Sequence, residues 1–318
     1  MRLIYILLLN FFLLFNYSLQ AQSLPITEEF FFQRFTIVNQ MPERILSGRT
    51  LLFYSSSLTQ KELERIQESF STTGIDAVLA IAIEKLLGGH DVRKALFEAI
   101  QKREISNLVF VQKDQQEYRC TMTKFNQKFS FVNTLQPAWQ LSKSALGELL
   151  LELGRDAQNA LSKQNFLVND QPETDLKISI IRGSRIESHS SDLRVDRLAV
   201  RLSDRVEDNE ALKNELSSYP FKLEFVGDSI SDAELRLKGF WYVLQSVHLP
   251  EKQALEILGY TLVKRPIKIV DEKSVYKFYF KKLEFDNVYL GKEWDAAANW
   301  QDALKNTLAN LRKELNVR

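Results

Sequence analysis

VYKFYFKKLEFDNVYLGKEWDAAANWQDALKNTLANLRKEL, residues 275–315, decides how this chain reads. Val275–Leu283 and Asn287–Leu290 have the alternation and aromatic content of strands. After Trp294 and Asn299 the period changes, and Trp300, Ala303, Leu304, Leu308, Leu311 and Leu315 fall on one helical face. A hairpin followed by an amphipathic helix is a closing unit: the helix covers the sheet that the hairpin completes. Tyr118–Leu161 has the same order. There Tyr118–Phe125 and Lys128–Val132 read as strands, and a helix after Ser142 aligns Leu146, Leu149, Leu150, Leu153, Ala157 and Leu161. Two such endings predict two tandem domains.

Working upstream from the first ending, Arg49–Tyr54 reads as a strand. Thr59-x-x-Glu62 has the form of a capping box, with Leu63, Ile66 and Phe70 at helical spacing behind it and Gly74 as the stop. Asp76–Ile83 is the continuous apolar run expected of a parallel strand buried on both faces. Gly88-Gly89 breaks the chain, Asp91 is placed to cap a helix containing Val92, Leu96 and Ile100, and Asn107–Gln112 gives a third strand. The polar segment Asn165–Thr174, with Pro172, marks a boundary.

In the second half Leu176–Ile181 reads as a strand entering the second domain or bridging both, and Gly183–Asp192 as an exposed loop. Leu198–Leu202, Phe221–Val226 and Phe240–Val247 are strands, and Glu210–Leu216 is a helix. Ser231-x-x-Glu234 is a second capping box, and Leu249–Tyr260 is an inserted helix starting at Pro250. The fold class is therefore α/β of mixed α+β character: two tandem mixed-sheet domains, each about β-α-β-α-β-β-β-α. Residues 49–165 form the first and 196–318 the second, with a lead-in over 23–48 and a linker over 166–195. Phe30, Phe31, Phe32 and Phe35 make the lead-in too apolar for a free tail; it is expected to pack on the first domain, with partner docking as the alternative.

Met1–Gln22 has the features of a secretory signal peptide: Arg2, the apolar run Leu3–Phe15, then a cleavage region at Leu19–Gln22 that departs from a clean A-x-A. The run is short for a membrane span, and no later run approaches one. An exported chain that is soluble after cleavage, in the periplasm or outside the cell, is the expectation. Arg2 is the only charged residue of that segment, so the remaining Lys and Arg balance the 41 Asp and Glu. A neutral chain gives no reason to expect nucleic acid as a partner. With Cys120 as its one cysteine, the chain has no internal disulfide framework, and the domains must rely on apolar burial.

The element order, together with export, resembles the small α/β domains of the periplasmic TolB amino-terminal, LpoB and CsgG-type envelope proteins. The resemblance covers each half by order alone and rests on no diagnostic motif. The chain lacks the lipid-attachment cysteine of LpoB and CsgG, and its final helix leaves no room for the TolB propeller. The resemblance implies an envelope adaptor and transfers no site residues.

Candidate chemistry is sparse. His90, His189 and His248 show no metal-ligand spacing, and neither a metal nor a cofactor is expected. His189, in a serine-rich loop, reads as a surface residue. A polar pocket is conceivable where strands of an open α/β sheet end: Ser55, Ser56 and Ser57 after the first strand, Glu84 and His90 after the second, and Asp228 at the position matching Glu84 in the other half. No G-x-S-x-G elbow or phosphate-loop pattern accompanies them. A turn, a helix cap and solvated loop acids explain the same residues. Cys120 shares a strand face with Tyr118 and Met122 and reads as an inert buried thiol. The most suggestive surface is the second hairpin. If Tyr276, Phe278 and Phe280 point inward, Lys277, Tyr279 and Lys281 point outward with Tyr289, forming an aromatic–basic face suited to a glycan or protein; edge protection by lysine gives the same pattern. The reading is an exported non-catalytic interaction or scaffold protein of the cell envelope, with an envelope protein or glycan as partner. The alternatives are a two-lobed solute- or glycan-binding protein and, after it, a hydrolase.

Overall fold

Two six-stranded mixed sheets organise the chain. The computed structural model describes residues 26–115, 117–174, 176–203, 206–227, 230–260 and 273–317. Met1–Gln22, read as a signal peptide, and Asp228 lie outside the described residues, and none of the described helices is long and apolar enough to cross a membrane.

The first half contains α1 (Glu28–Phe32), β1 (Phe35–Val38), β2 (Arg49–Tyr54), α2 (Gln60–Thr73), β3 (Asp76–Ala82), α3 (Ile83–Leu87) and α4 (His90–Ile100). It continues with β4 (Ile105–Lys113), β5 (Tyr118–Lys124), β6 (Gln136–Lys143) and α5 (Leu146–Ala160). The second half runs β7 (Arg185–Ile186), β8 (Leu198–Leu202), α6 (Val206–Leu216), β9 (Leu223–Gly227), α7 (Asp232–Leu237) and β10 (Tyr242–Pro250). It ends with α8 (Glu251–Ile257), β11 (Ser274–Lys282), β12 (Asn287–Tyr289) and α9 (Trp300–Glu314). The sheet orders are β1-β6-β5-β4-β2-β3 and β7-β12-β11-β10-β8-β9. Strand for strand they are the same arrangement, with matching parallel and antiparallel neighbours.

Both capping boxes form. The Thr59 and Ser231 hydroxyls accept from the amides of Glu62 and Glu234, whose carboxylates accept from the cap amides at 2.7 and 2.8 Å. Gly74 ends α2 at a φ of 101°, a left-handed conformation that only glycine adopts without strain. In each half the first crossover helix (α2 or α6) and the last helix (α5 or α9) cover one sheet face. Ile66 and Phe70 of α2 meet Leu149 and Leu153 of α5 over Leu52 and Val109; Leu212 and Leu216 of α6 meet Leu304 and Leu308 of α9 over Val200 and Phe280.

Three segments depart from the sequence-based expectations, and the lead-in, expected to pack on the first domain, also joins its sheet. The second strand of the first hairpin is Gln136–Lys143, not Lys128–Val132. The apolar Phe131 and Val132 are fully buried from a loop, which the Asn126 side chain holds by accepting from Lys128 N and donating to Ser130 and Asn133. Leu176–Ile181 forms no strand. Glu173 instead bridges β3 through Ala80 N and Val78 O, at 2.9 and 3.1 Å, and covers that sheet edge. Gly183–Asp192 is not simply an exposed loop, because β7 pairs with β12 and His189 and Ser190 are buried. The lead-in supplies α1 and edge strand β1. Phe31 is buried, and Phe31, Phe32 and Phe35 ring Phe110 at 5.4–5.9 Å; burying one such phenyl group stabilises by about 1.5–3 kcal/mol.

The halves meet through α4. Its Leu96 and Ile100 pack on the first sheet with Phe53 and Phe110, while Val92 packs among Val247, Leu249, Tyr279 and Leu255 of the second half. β10 pairs with β8 only at Tyr242 and Val243, and past that point Gly88 O of the α3–α4 turn accepts from His248 N at 3.1 Å. Gly89 lies so close that a Cβ there would stand 2.3 Å from Ser246 O, at a φ of 112°. A glycine is required for this approach.

Candidate functional site

The pocket expected at the strand ends is partly assembled. Ser56 N donates to Glu84 Oε1 at 3.4 Å, so the serine turn and the start of α3 do meet. The Ser55 and Ser57 hydroxyls, however, bond to each other at 2.7 Å, and Ser57 Oγ donates to Lys113 O at 2.8 Å; neither hydroxyl is held by a base. A residue that the sequence reading did not single out joins Glu84 here: Glu28 of α1, which accepts from Gln112 Nε2 at 2.6 Å. Burial pushes the Glu28 carboxyl up, the Gln112 bond offsets part of that, and Glu84 raises it further. His90 is directed elsewhere. It is buried beside Asp91, with Nδ1 3.3 Å from Oδ1, and its ring lies 5.0 Å from Phe129. The thiol of Cys120 is buried in the first core, which raises its pKa and leaves it inert.

The outward orientation given to Lys277, Tyr279 and Lys281 is corrected. They do alternate with Tyr276, Phe278 and Phe280, but Lys277 and Tyr279 are 0% exposed and Lys281 is 4% exposed. Alternation shows that β11 has two faces, not that one of them meets solvent. Tyr279 and Lys281 face helices, including α4 of the other domain. Tyr289 is half-buried, its ring 5.9 Å from Tyr242.

What α4 brings to them is a buried charge network. Asp91 Oδ2 accepts from Tyr279 Oη at 2.9 Å, and Oδ1 accepts from Gln245 Nε2 at 3.3 Å. Lys281 Nζ lies 3.8 Å from Asp91, 3.1 Å from Asp232 and 3.3 Å from Asp286. Asp232 also accepts from Arg201 at 2.5 Å and from Lys94 of α4 at 3.4 Å. Burial alone would raise the two carboxyls. Instead the Lys281 ammonium, aided by His90 at Asp91 and by Arg201 and Lys94 at Asp232, holds both well below the usual carboxylate range. Asp91 thus acts as an interdomain anchor, not as the helix cap expected, and the cap position is Gly89.

A second buried cluster surrounds Lys277. Nζ lies 2.7 Å from Asp295 and donates to Phe278 O and Leu290 O at 2.8 and 2.9 Å. Asp295 also accepts from Thr307 and Asn310 of α9. His189, expected at the surface, has its ring fully buried nearby, edge-on to Phe280 at 5.5 Å and 4.0 Å from Glu314. Burial lowers its pKa to about 4 against the opposing pull of Glu314, so the ring is neutral near pH 7.

The concave feature of the first domain lies at the opposite end of its sheet from Ser55 and Glu84. A cleft of about 980 Å³ opens where β1 and β5 end and β4 and β6 begin. Its lining is rich in carboxamides, namely Gln40, Asn107, Asn126, Gln127, Asn133 and Gln136, set beside Met41, Pro42, Pro137 and Trp139. The amides fix one another. Asn126 Nδ2 donates to Asn133 Oδ1 at 3.2 Å, Asn133 N to Gln136 Oε1 at 2.9 Å, and Gln136 Nε2 to Thr123 Oγ1 and Lys124 O at 2.7 Å each. Asn107, 1% exposed, donates to Arg44 O at 2.9 Å and keeps an Oδ1 with no partner. Glu104 and Leu135, each directly before a strand that borders the cleft, and Gln127 and Phe131, in the loop between β5 and β6, have φ between 52° and 65°. The Asn/Gln content of residues 126–136 was the available signal, and its apolar residues drew the reading toward a strand instead.

The chain matches no known family model, no curated protein and no solved structure.

Proposed function

We propose that this is an exported, non-catalytic interaction or scaffold protein of the cell envelope. The observation that carries the proposal is α4, which serves both sheets and locks the domains through Asp91, Lys281 and Asp232. A clamp that closes on a solute needs an interface that opens. Here, opening would break the Tyr279 and Gln245 hydrogen bonds to Asp91 and expose the apolar contacts of Val92 with Val247, Leu249 and Tyr279, which argues for one fixed body presenting surfaces to partners. The serine hydroxyls near Glu84, bonded to each other and to a backbone carbonyl, give the hydrolase reading no activated nucleophile. Export rests on the pattern of Met1–Gln22, and the envelope setting on that pattern together with the element-order resemblance to TolB amino-terminal, LpoB and CsgG-type domains.

The test is crosslinking in the native envelope, followed by identification of what co-purifies. A reproducible partner that crosslinks to one face supports the scaffold reading. A protein recovered only as an uncrosslinked monomer, or found in the cytoplasm, refutes it. The cleft gives the glycan-binding alternative its own observation.

A further inference from the structure

We infer that the cleft bordered by β1, β4, β5 and β6 is a binding site for an uncharged sugar chain. Its volume, about 980 Å³, is at the upper end of the roughly 300–1,000 Å³ range of ligand pockets, enough for more than a single ring. The chemistry of its lining selects the class. A carboxamide presents a donor and an acceptor side by side in one plane, and adjacent sugar hydroxyls present the complementary pair. The donors of Asn126 and Gln136 are spent on protein acceptors and Gln127 donates to Ile105 O, so a ligand meets mainly the amide oxygens of the lining and the Nδ2 of Asn133, while Pro42 and Pro137, with the edge of the largely buried Trp139, give the apolar contact that the C–H face of a sugar ring requires.

Two further observations indicate a built site. The amides are already oriented by bonds to each other and to Thr123, so little side-chain freedom remains to be lost when a ligand binds. The neighbouring loops also hold Gln127, Phe131 and Leu135 in left-handed conformations. Such conformations cost about 1–2 kcal/mol per residue for a non-glycine residue, and strain of this kind concentrates at functional sites. Of the three, Gln127 lines the cleft, while Phe131 keeps its side chain because it is fully buried in the core.

The charged lining residues, Glu43, Arg44 and Lys124, are exposed, whereas the amide Asn107 is buried. An anionic polymer would be read by buried guanidinium or ammonium groups, and the interior here offers amides. An extended peptide would pair along a strand edge, whereas this cleft lies across strand ends. The inference does not depend on the envelope reading, since the cleft would select the same chemistry in any compartment.

The experiment is isothermal titration of the purified protein with cellotriose, maltotriose and chitotriose, with trigalacturonate and trialanine as the charged and peptide probes. Asn133→Asp keeps the Oδ1 that accepts from Asn126 and replaces the amide donor by a carboxylate oxygen, so the loop network survives. Binding of at least one neutral trisaccharide, weakened about tenfold or more by Asn133→Asp and little changed by Lys124→Ala, is the expected result; tenfold corresponds to about 1.4 kcal/mol, the scale of one hydrogen bond. Matching far-ultraviolet circular dichroism and melting curves establish that the variants fold. The inference is overturned if no neutral trisaccharide binds up to its solubility limit, or if trigalacturonate or trialanine alone binds. It is equally overturned if Lys124→Ala abolishes binding while Asn133→Asp leaves it intact. Any of these failures leaves the crosslinking test of the scaffold reading untouched.

Discussion

Replacing Asp91 by alanine tests whether the two sheets form one cooperative body. The carboxylate belongs to a helix of the first domain, and its partners Tyr279, Gln245 and Lys281 belong to the second. Removing it leaves the Tyr279 hydroxyl and the Gln245 amide buried without that acceptor, at about 1–3 kcal/mol each. Lys281 retains Asp232 and Asp286, so its charge is not orphaned. The expected loss is about 3–5 kcal/mol, typical of breaking a buried charged contact from one side and a large part of an ordinary stability of about 5–15 kcal/mol. Val92→Ala, on the same helix but purely apolar, should cost about 2 kcal/mol for the two methyl groups and the space they leave. Urea unfolding is the assay, followed by tryptophan fluorescence: Trp139 reports the first domain, and Trp294 and Trp300 the second. Wild type should unfold in a single transition. Asp91→Ala should resolve two, each with a smaller denaturant slope, because the domains no longer share an interface. One transition displaced by less than about 1 kcal/mol would refute the coupling argument.

Three further outcomes follow from the buried groups. Lys277→Met should destabilise by about 3–5 kcal/mol by leaving Asp295 charged and buried, and adding Asp295→Asn should recover more than half of it; a double variant no better than the single one would count against the pair. Gly89→Ala should lower stability by more than about 1–3 kcal/mol, the cost of a side chain in that glycine-only backbone conformation alone, because its Cβ also meets Ser246 O. An unchanged melting temperature would mean that the domains do not approach as closely as described. His189 is held at about 4 against an ordinary 6.5. The unfolded chain therefore takes up its proton first, and the contribution of the buried neutral ring, present above about pH 6.5, is lost as pH falls toward 4, amounting to about 3 kcal/mol. His248 is also lowered to about 4 by burial, so denaturation measured across that range should lose about half of its pH dependence in His189→Leu, and an unaltered acid limb would refute the assignment.

Much of the fold could be read from residues whose signals are local. Thr59 with Glu62 and Ser231 with Glu234 encode helix starts within four positions, and the stripes of α5 and α9 repeat at the helical period. What escaped depended on distant partners. The alternation of β11 separates Lys277, Tyr279 and Lys281 from Phe278 and Phe280, but only distant partners make the polar set internal: the docking of α4, with Asp91 188 residues before Tyr279, for Tyr279 and Lys281, and Asp295 for Lys277. β6 was hidden by Pro137 in its second position, and β7 is only two residues long, below the length at which a period can register. The cleft escaped for a related reason. Phe131 and Val132 announce burial truthfully, yet they are buried from a loop, and it is the Asn126 and Gln136 bonds that turn the chain there.

The departure from symmetry between the halves explains why the domains are locked. In the first half the second crossover is a pair of helices, α3 and α4, long enough to cover its sheet face. The matching crossover in the second half is the single short helix α7, six residues long, whose Leu235 covers Ala199 and Val243 and reaches no further. Val247, Leu249 and Tyr279 would be left uncovered on that face. Inserted α8 covers part of it with Ala254 and Leu255, and α4 supplies the rest with Val92. A shortened crossover in one copy thus creates the vacancy that the other copy's helix fills. Asp91 then matters because an apolar side chain in its place would leave Lys281 and Tyr279 facing a dry surface with fewer partners. The polar residues of β11 and the acidic first turn of α4 therefore constrain each other, and neither domain can change its side of that contact alone.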